Sequence, residues 1–95
     1  MFGKFGDIKK KAGQMKERLA ETVIEKEEAG IKVIINGTKD ITSIHIPELY
    51  LEIGRKEELE QKLMEVINNA GADANEVMKK EMSALAGPLG GMLGL

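Results

Sequence analysis

The stretch Gly30 to Leu51, GIKVIINGTKDITSIHIPELYL, most narrows what this chain can fold into. Two β-rich runs, Ile31–Asn36 and Ile41–Ile46, flank Asn36-Gly37-Thr38-Lys39-Asp40. β-Branched residues suit a pleated, half-buried surface, and Asn-Gly offers the positive φ that a tight reversal needs. Ile31, Val33 and Ile35 share one parity, as do Ile44 and Ile46, so a two-residue period puts each set on one face of a hairpin. Pro47 cannot donate to a ladder and ends the second run. The other face carries Lys32, Thr38 and Ser43 but also Ile34 and Ile41, which predicts partial cover from a neighbour.

A hairpin alone is marginal in water, and three strands are far more viable. Thr22–Glu28, TVIEKEE, could prolong a preceding helix, but Thr-Val-Ile favours a strand and Glu28-Ala29-Gly30 can turn into the next one. It is expected as an edge strand whose glutamates and lysine discourage pairing with other sheets. Upstream, Ile8, Ala12, Met15 and Leu19 recur at helical spacing, with Asp7 as N-cap of a helix to about Glu21. Met1–Gly6 reads as a flexible lead. Lys9 and Lys16 fall on one flank of that helix, Lys11 and Arg18 on the other, and Lys10 between them. A solvated helix face is the plainest reading of such a pattern.

After Pro47, Glu48–Gly54 is expected as a connector with Leu49 and Leu51, and Tyr50 as a third candidate, tucked beneath the next helix. That helix should run from about Arg55 to about Ala86, because Leu59, Leu63, Val66, Ile67, Ala70, Ala74, Val77, Met78, Met82 and Leu85 keep one stripe. Asn68-Asn69-Ala70-Gly71 could close it, with Asp73 and Glu76 opening another. The stripe keeps phase across Gly71, so one continuous helix is expected. Residues 87–95, GPLGGMLGL, carry no charge and read as a frayed tail.

Length then bears on assembly. A helix of about 31 residues is about 47 Å long, whereas strands of about six residues span about 20 Å. The long helix must overhang its own sheet while its apolar stripe continues. The first helix, lying antiparallel, covers part of the overhang. A second copy of the chain is the most economical cover for the rest, and a chain of 95 residues hides too little surface to make that surprising.

At this point the residues resemble the YbaB/EbfC nucleoid-associated DNA-binding family. Met1-Phe2-Gly3-Lys4, Gln14-Met15, Lys32-Val33-Ile34-Ile35-Asn36-Gly37, Ile46-Pro47-Glu48-Leu49, Asn68-Asn69-Ala70 and Lys80-Glu81-Met82 with Leu85 follow the family's order and spacing across essentially the whole chain. Ile46 stands where the family usually has Asp, and Gly71-Ala72-Asp73 is small and acidic where it is often bulkier and basic. The resemblance implies an α+β protomer of helix, three-stranded antiparallel sheet and long helix in a single domain over residues 1–95. It further implies a dimer whose sheets join centrally and whose paired helices project like tweezers, acting on the nucleoid; the lack of an apolar h-region in Met1–Gly6 and of a spanning run makes a cytoplasmic protein the expectation. Duplex DNA would be the partner, bound with modest sequence preference.

With a first helix running toward the sheet and a last one running away, Lys9–Lys11 and Lys79-Lys80 would share an arm tip. The candidate DNA-binding residues are accordingly Lys4, Lys9, Lys10, Lys11, Lys16, Arg18, Lys79 and Lys80. Candidates for the dimer interface are Val33, Ile34, Ile35, Ile41, Ile44, Ile46 and Ile67. The net charge of −2 hides this asymmetry: residues 1–20 set six cations against Asp7 and Glu17, and residues 21–30 set Lys26 against four glutamates. Neutralising about six phosphates would give a salt slope of about −5. Only Arg18 and Arg55 could make bidentate base contacts as arginines, with Gln14 as one amide, so weak specificity follows.

Other chemistry has little to stand on. There is no Cys, and His45 has no residue placed by motif to orient it. The glycines form neither GxGxxG nor a P-loop, and Glu57, Glu58, Glu60 and Glu65 suit the start of a helix. No catalytic residue, metal, cofactor, small-molecule substrate or membrane span is expected. The competing function is a protein-interaction module in which Met15, Met78, Met82 and the Leu/Met tail dock on another protein.

Overall fold

The computed structural model describes the backbone of residues 2–92 and the side chains of residues 6–84. Helix α1 spans Phe2–Glu21, followed by strands β1, Val23–Glu28, β2, Ile31–Asn36, and β3, Ile41–His45. A 3₁₀ turn, Glu48–Leu51, leads to helix α2, Lys56–Met92. The strands form one antiparallel sheet in the order β1-β2-β3.

Both hairpins follow from local chemistry, though not as the Asn-Gly pair suggested. Glu28 pairs with Ile31, and Ala29 and Gly30 between them both have positive φ, 53° and 83°, the pattern of a type I′ turn. In the β2–β3 connection the residue with positive φ is Lys39, at 70°, rather than Gly37. Asn36 closes that loop, its Oδ1 accepting from the Thr38 and Asp40 backbone N–H groups at 3.0 and 2.9 Å. Gly37 is there for proximity: its N–H donates to the Leu19 carbonyl at 2.8 Å, and a Cβ would strike Leu19. The turn thereby seats the end of α1 against the sheet.

A β-bulge corrects the parity expected for β3. Ile34 faces Ser43 but Ile35 faces Ile41, so Thr42 is the extra residue. The bulge returns Ile41 to the face that Ile44 shares with Val33 and Ile35, away from the Lys32–Ile34 face. On that inner face Ile31, Val33 and Ile35 pack with Tyr50, Val66, Ala70 and Ala74 as the buried core. Val33 and Ile35, expected between subunits, are therefore enclosed within the protomer. Ile46 and Ile67 pack partly against the same core.

Helix α2 crosses β1 and β2 but leaves β3 uncovered. It is continuous through Gly71 and runs past Ala86 to Met92. A helix of 37 residues is about 55 Å long at 1.5 Å per residue, which accounts for a molecule of 64 × 23 × 14 Å. Helix α1 starts at Phe2, so Asp7 lies within it rather than capping it. Glycine costs a helix only about 1 kcal/mol, too little for Gly3 and Gly6 to end it. In the connector, Tyr50 is buried and donates to the Ala29 carbonyl at 2.9 Å, while Leu49 and Leu51 point outward instead of beneath α2.

Candidate nucleic-acid interface

Beyond the sheet, α1 and α2 form a two-helix arm. Leu19 is buried at its root, and Ala12 and Met15 are half-buried along the seam, as are Val77 and Met78 on α2. Polar contact across the arm comes from Arg18, whose Nη2 donates to Glu81 Oε2 at 2.9 Å. That pair sets the register of the two helices. Lys79 and Lys80 stand level with the last turn of α1, whereas Lys11 and Lys9 lie about 10–14 Å farther out at 1.5 Å per residue. The expected cationic tip is thus a stripe along the arm.

The stripe differs from the other charges in its partners. Lys9, Lys10, Lys11 and Lys16 are exposed, and Lys80 likewise, and none makes an ion pair among the described residues. Lys79 approaches Glu76 at 3.7 Å, one turn earlier on its own helix. Lys4 lies outside the described side chains, as do Leu85 and the Leu and Met residues of the tail. By helical geometry Lys9 and Lys16 flank the seam on one side and Lys11 and Arg18 on the other, with Lys10 outward.

Elsewhere the described lysines and arginines are paired, except the exposed Lys39 of the β2–β3 turn. Lys26 pairs with Asp73 at 3.3 Å, Lys32 with Glu25 at 2.8 Å and Arg55 with Glu52 at 3.3 Å. The hydrogen bond from Lys32 to Glu25 and the charge of that carboxylate hold the lysine above its ordinary pKa. On α2, the Gln61 amide, and then the Lys62 charge, keep Glu65 below the usual carboxylate value. Asn69 donates to Glu28 at 2.6 Å, so the acidic run of β1 is largely engaged with α2 and β2. His45 is exposed on the outer sheet face, across from Lys32.

The β3 side of the molecule is different again. Ile41 and Ile44 are more than two-fifths exposed, on the inner face beside α2. An open groove of ≈ 410 Å³ lies between strand and helix, with Ile35, Ile41, Ile67, Gly71 and Ala72 in its wall and Lys39, Asn68 and Asn75 as its polar members. Leu51, Ile53 and Met64 add exposed apolar surface near the start of α2. No charged residue stands in β3, in contrast to β1. Of the residues proposed for a subunit contact, Ile41 and Ile44 are available there. Ile34 is half-buried on the opposite face, beside Glu25 and Ser43. Met82 is exposed on the arm. Ile53 carries no sequence signal and Leu51 was expected beneath α2, because their spacing follows no period.

The sequence profile of the YbaB/EbfC DNA-binding family matches residues 1–89. The chain belongs to that family. As a YbaB/EbfC protein it is 36% identical over 83 residues to a protein of Acidobacterium capsulatum named a nucleoid-associated protein, covering 80% of this chain and 77% of that one. A second relative with that name, from Acetivibrio thermocellus, is 31% identical over 84 residues, covering 86% and 74%. Among solved structures, an uncharacterised protein of Helicobacter pylori superposes with a TM-score of 0.74 at 26% identity, covering 82% of this YbaB/EbfC chain and 84% of the other. No helix among the described residues is long and apolar enough to cross a membrane.

Proposed function

We propose that this YbaB/EbfC protein is a nucleoid-associated protein that binds duplex DNA as a homodimer, with weak sequence preference, through the lysine stripe of its arm. The observation that carries this reading is the contrast between Lys9, Lys10, Lys11 and Lys16, exposed without carboxylate partners among the described residues, and the paired cations of the sheet and of the start of α2. Unpaired lysines on a projecting helix can neutralise phosphates and release counterions without desolvating an ion pair. Lys80 extends the stripe onto α2. Weak preference follows from the shortage of base-reading forks, because Arg55 is tied to Glu52 and Arg18 to Glu81.

A second copy supplies the cover that β3 lacks. An uncharged edge strand that presents Ile41 and Ile44, next to a groove of mixed apolar and polar lining, offers both backbone pairing and hydrophobic contact. The dimer then carries two lysine stripes. The test is a gel-shift series with random-sequence duplex at increasing salt. Wild type should show a log–log slope of about −4 to −7, and Lys9→Glu, Lys10→Glu and Lys11→Glu together should weaken binding at least about tenfold and flatten the slope. Absence of salt-dependent duplex binding would point instead to docking on protein, and an unchanged affinity in the triple variant would remove these lysines from the interface.

A further inference from the structure

Glu81 occupies an unusual position for a carboxylate. It lies four residues past Val77 and seven past Ala74, on the stripe that Val66, Ala70 and Ala74 bury against the sheet. On the arm this stripe faces α1, where an apolar residue would be expected. Its side chain is only 30% exposed, and its Oε2 is satisfied by the Arg18 guanidinium, which is itself 60% exposed. The contact uses one nitrogen of the guanidinium, Nη2. Arg18 shares its flank of α1 with Lys11, so the guanidinium stands at the inner end of the lysine stripe.

Resting on the nucleic-acid reading above, we propose that Glu81 is a positioning residue that withholds Arg18 from phosphate and so sets how many cations each arm offers to a duplex. An exposed Arg–Glu pair is weakly held in water, but while it persists it contributes no net charge to the arm. Arginine is the side chain best suited to grip a phosphate with two parallel donors. The other cations described on this arm are lysines, so one carboxylate controls its single described guanidinium. The effect is to hold affinity down and keep the contact dependent on lysine point charges, which favours exchange along the duplex over fixed seating.

Four proteins decide it: wild type, Glu81→Gln, Arg18→Gln and the double variant, each titrated against random-sequence duplex across a salt series. Glutamine keeps the shape and can still accept a hydrogen bond, and thermal unfolding of each variant reports whether the arm is intact. Glu81→Gln should tighten binding by roughly fivefold and steepen the slope by about 0.9 for each arm engaged, the increment of one further neutralised phosphate. In the Arg18→Gln background the same Glu81 change should leave the slope where it was. Equal gains in both backgrounds would mean that Glu81 acts only through its charge, and parallel wild-type and Glu81→Gln plots would mean that Arg18 never reaches phosphate; either overturns the proposal. A wild type without salt-dependent duplex binding would overturn the functional reading itself, which is a separate outcome.

Discussion

At Gly37 a Cβ would lie 2.8 Å from both the carbonyl oxygen and the Cδ2 of Leu19. A side-chain methyl can swing aside, but the carbonyl cannot move without giving up its hydrogen bond from the Gly37 N–H. Gly37→Ala should therefore cost about 1–3 kcal/mol of unfolding free energy, measured by urea denaturation. Ala29 is the converse case, a residue with a Cβ held at positive φ. Replacing it by glycine removes the steric penalty of the left-handed conformation and should stabilise the fold by up to about 1 kcal/mol, with the midpoint shifting and the m-value unchanged. These two sites explain one limit on what was legible in the sequence. The pair Asn36-Gly37 announced a turn, and a turn is there, but the reason for its glycine is a neighbour distant along the chain.

Among the elements, the strand pattern of β2 was readable because its period-two isoleucines have one wet and one dry side. Helix α2 was readable because Leu59, Leu63, Val66, Ala70 and Ala74 hold phase across Gly71. The face assignments in β3 were not, because an extra residue at Thr42 reverses parity and nothing local in ITSIH marks it. Leu49 and Leu51 were misplaced for a related reason: a 3₁₀ turn sends its third residue, Tyr50, inward, and the hydroxyl of that tyrosine finds the Ala29 carbonyl. The exposed β3 edge also carries a prediction at this scale. Ile44→Lys places a charge on the uncovered inner face without touching the enclosed Val33. On the proposed dimer, it should shift the protein to monomer at micromolar concentration in sedimentation velocity, while far-ultraviolet circular dichroism stays the same.

Over the whole molecule, charge is segregated along a body 64 Å long. The start of α2 carries Glu57, Glu58 and Glu60, with Glu48 and Glu52 on the preceding turn. Twenty-five helical residues separate Lys56 from Glu81, or about 37 Å, several times the Debye length of about 8 Å at physiological salt. Reversing Glu57 and Glu58 to Lys should consequently leave duplex affinity within about twofold at about 0.15 M salt, in the same gel shift that detects the arm lysines. A large gain would mean that duplex reaches the base of the protomer. A net charge of −2 concealed this arrangement, whereas the partition of cations into paired and unpaired sets needed coordinates.

The seat that Gly37 makes for Leu19 works as a fulcrum. Helix α1 is a lever some 30 Å long by its rise, fixed at its heel by a backbone hydrogen bond and loaded with lysines toward its free end. A pull on those lysines is shared between the seam with α2 and the heel, where part of it reaches the β2–β3 turn, the turn that leads into β3. Traction on one arm can thus pass through that turn to the border strand, so strain from a bent or moving polymer would be felt at the edge proposed to receive a second copy.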